Sequence, residues 1–147
     1  MNTIRGIECA RIGNALSHVL QFLAYEKCEF YVPWCTMIDM PGMAIPRTIK
    51  DQHINAQYLR RIADQSVWEL VLKLYPLDKL EEAITTYDDY EGSECICYLI
   101  YYDCGMLDIY AKDLCLIERL HKLLSDLGVQ SLRFLTREND CRTRMYP

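Results

Sequence analysis

The chain has 147 residues, 51% hydrophobic and 25% charged, with a net charge of −5, values that suit one domain removing roughly 70% of its unfolded surface from water on folding. Basic side chains are scattered rather than gathered into a stripe, which argues against a phosphate-neutralising surface and against nucleic acid as a partner. The longest apolar run, Cys95 to Tyr102, is too short to cross a bilayer, and the opening Met-Asn-Thr-Ile-Arg-Gly-Ile-Glu interrupts the apolar stretch of a signal peptide, so a cytoplasmic protein with no membrane partner is expected.

Thr3 to Cys9 alternates as a first strand, and Ile12, Ala15, Leu16, Val19, Leu20 and Leu23 recur at helical spacing up to about Lys27. Phe30 to Asp39 is aromatic and β-branched, but Pro33 removes a ladder hydrogen bond, which predicts a kinked edge strand or two short strands. Met40 to Pro46 carries Pro41, Gly42 and Pro46 and runs on into polar residues up to about Gln52, the longest candidate loop. Ile54, Tyr58, Leu59, Ile62 and Ala63 predict a short second helix, and Val67 to Tyr75 a buried strand that Pro76 stops. Leu77 to Ile84 adds a short helix in this reading.

Cys95 to Tyr102 reads as an apolar strand, and Asp103-Cys104-Gly105 supplies turn chemistry before Met106 to Ala111 returns as its hairpin partner. Asp113 caps a helix with Leu116, Ile117, Leu120, Leu123, Leu124 and Leu127 on its apolar side, Gly128 ends it in the left-handed conformation, and Val129 to Leu135 forms the last strand. This order mixes hairpins with crossovers and predicts a single α+β domain over residues 1–147. Its sheet is mixed, mostly antiparallel, with about five to seven strands covered by two or three helices, and residues 138–147 form a flexible tail.

The eight cysteines lie largely in apolar segments, where cysteine behaves as a small hydrophobe, and they are read as free thiols. Cys95 and Cys97, two apart on a strand, share a face that Cys104 approaches across the turn, a weak zinc candidate. The chain lacks a C-x-x-C pair and an obvious fourth ligand, so packed thiols are the competing reading and no cofactor is expected. For nucleophilic chemistry the candidates are Cys35, Cys104 and Cys141 with His18, His53 or His121. His18 and His121 fall on polar helix sides, whereas His53 follows the long loop. Phosphate loops, nucleophile elbows, zincin helices and EF-hand spacings are absent from the sequence.

Between residues 78 and 94 stand seven acidic residues, Asp78, Glu81, Glu82, Asp88, Asp89, Glu91 and Glu94, against Lys79, interleaved with Tyr87 and Tyr90. Carboxylates steer a basic partner and tyrosines supply rigid contact area, as on immunity proteins that block basic nucleases. The same pattern also describes a solvated face that keeps a domain soluble. Arg133, Arg137, Arg142 and Arg144 make the C-terminal segment locally basic, able to dock onto the acidic stretch.

Three stretches carry a resemblance: Arg5-Gly6-Ile7; Asp108-Ile109-Tyr110-Ala111-Lys112-Asp113 leading into Leu116-Ile117-Glu118; and Thr136-Arg137-Glu138-Asn139-Asp140-Cys141-Arg142-Thr143. They resemble a domain-of-unknown-function family of small uncharacterised bacterial proteins, which implies a bacterial cytoplasmic protein and brings no activity or catalytic residue. Two functional expectations follow from the residues. One is a non-enzymatic interaction module, immunity-like or regulatory, binding a protein partner or a second copy of itself through the acidic, tyrosine-bearing stretch. The other is a small enzyme or ligand-binding protein whose pocket beside residues 33–52 uses Cys35, Asp39 and His53.

Overall fold

A computed structural model describes residues 3–38, 46–103, 105–140, 142, 144 and 145. They form one open sheet of seven strands in the order β3-β2-β4-β5-β6-β1-β7. The strands are β1 (Ile4–Ala10), β2 (Glu29–Met37), β3 (Thr48–Ile54), β4 (Val67–Tyr75), β5 (Cys97–Tyr102), β6 (Met106–Ala111) and β7 (Gln130–Thr136). All neighbouring pairs run antiparallel. The four helices are α1 (Ala15–Leu23), α2 (Ala56–Ala63), α3 (Tyr87–Glu91) and α4 (Leu114–Asp126). The expected α+β class, the hairpin of β5 and β6, and the strand ending at Tyr75 are all present.

Helices α1, α2 and α4 cover one face. Their apolar stripes, including Leu16, Val19, Leu20, Leu59, Ile62, Leu120 and Leu124, pack on Ile7, Cys9, Val32, Cys35, Leu70, Leu72, Leu99 and Ile109 of the sheet. Local chemistry marks where α2 and α4 start and where α4 stops. Asn55 accepts a 2.8 Å bond from Tyr58 N, Asp113 accepts a 2.9 Å bond from Cys115 N, and Gly128 sits at φ +71° just past α4.

The proline-bearing strand departs from expectation. β2 is an interior strand between β3 and β4, and Pro33 is tolerated because it sits in a bulge. Against β4 the register steps from Tyr31↔Lys73 to Trp34↔Val71, so β2 spends one residue more than its partner. That extra residue resets the side-chain alternation: Val32 and Cys35 both enter the helix-covered core, while Tyr31 and Trp34 both pack on the opposite face. Across the ladder Asp51 takes φ +49°, and Ile49 and Ile54, an odd number of residues apart, are both buried against the same core.

Other differences follow from tertiary pairing. The polar residues read as the end of a long loop form the edge strand β3, held by β2 from Thr36↔Thr48 to Phe30↔Ile54, while residues 39–45 lie outside the described residues. Leu77 to Ile84 does not form the expected helix; it crosses the open face as an irregular strap. The short helix lies further on, at Tyr87–Glu91, where Thr86 and Asp89 form a reciprocal capping box.

Candidate functional site: the open face of the sheet

The face opposite the three helices is built from cross-strand rows, because directly paired residues of an antiparallel sheet point to the same side. One row runs His53, Tyr31, Lys73, Tyr98, Tyr110, Gly6, Leu135 across all seven strands. The next runs Lys50, Trp34, Val71, Ile100, Asp108, Glu8, Arg133. Gly6 is required in its row, since a Cβ there would stand 2.0 Å from Ile109 O.

Over β5, β6 and β1 this face is closed by α3 and the C-terminal segment. Tyr90 and Met145 are buried against Tyr75, Tyr98, Ile100 and Tyr110, and Met145 N donates to Thr85 O at 2.9 Å. Arg142 places its guanidinium 2.7 Å from Asp108 Oδ2, to which Tyr102 also donates at 3.1 Å. Tyr110 donates to Asp140 Oδ1 at 3.1 Å, and Arg5 lies 3.7 Å from Asp140 Oδ2 and 4.0 Å from the Tyr87 ring centroid. Burial raises Asp108 above the usual carboxylate range despite the opposing pull of Arg142. Asp140, Arg142 and Met145 are thus tied to the sheet, whereas Glu138 and Arg144 are exposed. Arg144 forms a backbone bridge with Thr86, whereas Arg142 meets Asp108 rather than the acidic stretch.

The same chemistry gives several acidic residues structural duties. The buried Lys73 ammonium bonds Glu81 Oε1 at 2.9 Å and Glu82 O at 2.8 Å. Glu82 Oε2 accepts from Glu94 N at 2.7 Å, and Asp89 Oδ2 accepts from Thr85 N and Thr86 N, each at 3.1 Å. Those two backbone bonds hold Asp89 below the usual carboxylate range. Tyr90 is buried and Tyr87 half-buried, so neither ring stands free on the surface. Asp78, Asp88, Glu91 and Glu94 are exposed, as are the committed Glu81 and Asp89.

Over β2 and β3 the face lies beside a furrow. A recess of about 500 Å³ is lined by Glu29, Tyr31, His53, Asp78, Lys79, Leu80 and Glu81. A second, of about 460 Å³, shares Glu29 and His53 and includes Leu77. His53 Nε2 and Glu29 Oε1 meet at 3.0 Å between them, and Glu29 Oε2 accepts from Asp78 N at 3.0 Å. The Asp78 N–H, followed by His53, keeps Glu29 below its usual value and hence ionised at neutral pH. Glu29 and Tyr31, passed over in the sequence reading, are thus brought to His53 by the pairing of β2 with β3 and to Asp78 and Glu81 by the strap that follows β4.

The alternative pocket does not assemble around its cysteine. Cys35 is fully buried in the helix-covered core, where burial raises its thiol to about 12, and His53 is exposed at the far end of the β2–β3 ladder. Asp39, like Cys104 and Cys141, lies outside the described residues. Of the weak zinc candidates, Cys95 precedes β5 and packs on the open face, Cys97 packs among the helices, and Cys104 lies outside the described residues. Among the described residues no three His, Cys, Asp or Glu side chains are grouped to hold a metal. His18 is exposed, and His121 stacks on Phe134 with ring centroids 4.2 Å apart. No helix of the described residues is long and apolar enough to cross a membrane.

Comparison with known proteins returns a family model described as "Protein of unknown function (DUF2691)" that matches residues 10–146. The chain is also similar to the "Uncharacterized protein YncE" of Bacillus subtilis (strain 168), 31% identical over 74 residues. That alignment covers 50% of this chain and 48% of the relative, so it spans about half the length of each. No solved structure matches. The stretches that carried the resemblance, around Arg5, Asp108–Tyr110 and Asp140–Arg142, meet in space on the open face.

Proposed function

The chain belongs to the DUF2691 family of proteins of unknown function, and from its surface we propose a non-enzymatic protein-interaction module, immunity-like or regulatory, working in the cytoplasm. The observation that carries this reading is the exposure of Asp78, Asp88, Glu91 and Glu94, with Glu81 partly engaged by Lys73, on and just after a strap and short helix pinned to the sheet. Carboxylates fixed on a scaffold steer a basic partner with little ordering cost. Support for an enzymatic reading is weak: the buried cysteines Cys9, Cys28 and Cys35 have thiols raised to about 12, chiefly by burial, which suits reduced core packing rather than nucleophilic chemistry.

The test is affinity capture from native lysate at two salt concentrations with wild type and with Asp88→Lys/Glu91→Lys. These two positions are used because Asp89 holds the helix cap. The expected result is a stoichiometric basic protein retained by wild type at low salt and released by the reversal. Capture that is indifferent to both salt and charge reversal would overturn the reading.

A further inference from the structure

We propose that the furrow on either side of the Glu29–His53 pair is the docking groove for a lysine- or arginine-bearing segment of a protein partner whose apolar residues cover Leu77 and Leu80. The proposal rests on the interaction-module reading and assigns it a partner chemistry and a place. Leu80 is 87% exposed and Leu77 56%, and they line the recesses on opposite sides of the pair. Two bulky side chains held three residues apart on a pinned strap form an apolar rim that water covers at a cost.

Charge complementarity selects the occupant. Glu29, Asp78 and Glu81 line one recess, with Asp51 beside it donated to by the Tyr31 hydroxyl at 3.4 Å. Near them, the Lys73 ammonium is committed to Glu81 and to Glu82 O, and the His53 ring to Glu29; Lys79 stands exposed on the rim. Glu29 is ionised and spends one oxygen on Asp78 N and the other on His53, leaving lone pairs for a further donor. A guanidinium or ammonium entering from solvent meets these carboxylates beside the Tyr31 ring, while its neighbouring apolar residues meet the leucines. An acidic or purely apolar segment would desolvate the remaining lone pairs of Glu29 and the Asp78 carboxylate without supplying a donor.

The probe is a synthetic amphipathic lysine–leucine peptide, with a glutamate-for-lysine version as control, titrated onto the full chain and followed by backbone amide shifts and calorimetry. The lysine peptide should perturb Tyr31, His53 and Leu80, and the glutamate peptide should not. Leu80→Ser should weaken binding about tenfold. Asp78→Asn, chosen because asparagine tolerates the φ of +68° found there, should weaken it about threefold and flatten its salt dependence. Binding of the lysine peptide that is reduced by Asp88→Lys/Glu91→Lys but unmoved by Leu80→Ser and Asp78→Asn would overturn the groove while leaving the interaction reading standing. Equal treatment of the lysine and glutamate peptides would overturn both.

Discussion

The two faces of the sheet solve the burial problem differently. The helix-covered face is aliphatic, with Leu70, Leu72, Leu99 and Ile109 meeting the stripes of α1, α2 and α4. Its partners lose apolar area to one another and need no particular orientation. The opposite face is tyrosine-rich and carries the buried Lys73 and Asp108, so its cover must supply bonds as well as area. The strap offers Glu81 and Glu82 O to Lys73, and the C-terminal segment offers Arg142 to Asp108. The difference teaches that one face tolerates substitution by volume and the other by charge pairing.

Breaking the pair on the open face should have the larger effect. Arg142→Ala leaves the Asp108 carboxylate buried beside Tyr102, and at neutral pH it should lower unfolding free energy by about 3–5 kcal/mol in a denaturant titration. Adding Asp108→Asn should recover part of that loss; a double variant as unstable as the single would show that packing, not charge, holds the tail. On the helix-covered face Leu99→Ala should cost about 2–5 kcal/mol, with no dependence on pH between about 5 and 7 beyond that of the wild type.

Acidification sharpens the comparison. Asp108 is raised by burial, so its protonation favours the folded state. Its contribution is fully present below the ordinary aspartate value and is lost as pH rises through its folded-state value. Glu29 is lowered by the Asp78 N–H and His53, so its contribution is present above the ordinary glutamate value and is lost as pH falls through its folded-state value. Relative to Asp108→Asn the wild type should therefore gain stability on acidification, and relative to Glu29→Gln it should lose it, the second effect being the smaller because His53 is exposed. Slopes of the same sign would contradict the contrasting environments of the two carboxylates.

Much of the fold was legible because its signals are local. Helical periodicity marked α1, α2 and α4, Pro76 marked the end of β4, and Asp113 and Gly128 bracketed the last helix. Pro33 misled, since a proline is excluded from an interior strand only where its missing N–H would break the ladder, and a bulge removes that conflict. The Leu77–Ile84 stretch has helical spacing but is drawn out by bonds to Lys73, Tyr75 and Glu29, side chains on two other strands. For the site, the acidic stretch was visible, but not which carboxylates were committed: Asp89 to a cap, Glu82 to a turn, Glu81 to a lysine. Lys73 and Asp108, each alternating with aliphatic residues along its strand, were a signal for a second, polar-lined buried face.

By itself the sequence determined the class of elements, the acidic stretch and the hairpin of β5 and β6, because each depends on residues close in the chain. Only the tertiary structure decided that β1 enters between β6 and β7, that the C-terminal segment closes over tyrosines, and that Glu29 and His53 face Asp78 and Leu80 across a furrow. Those outcomes depend on which strand edges pair and on which buried charge finds its counterpart. Neither is encoded within a local window of residues.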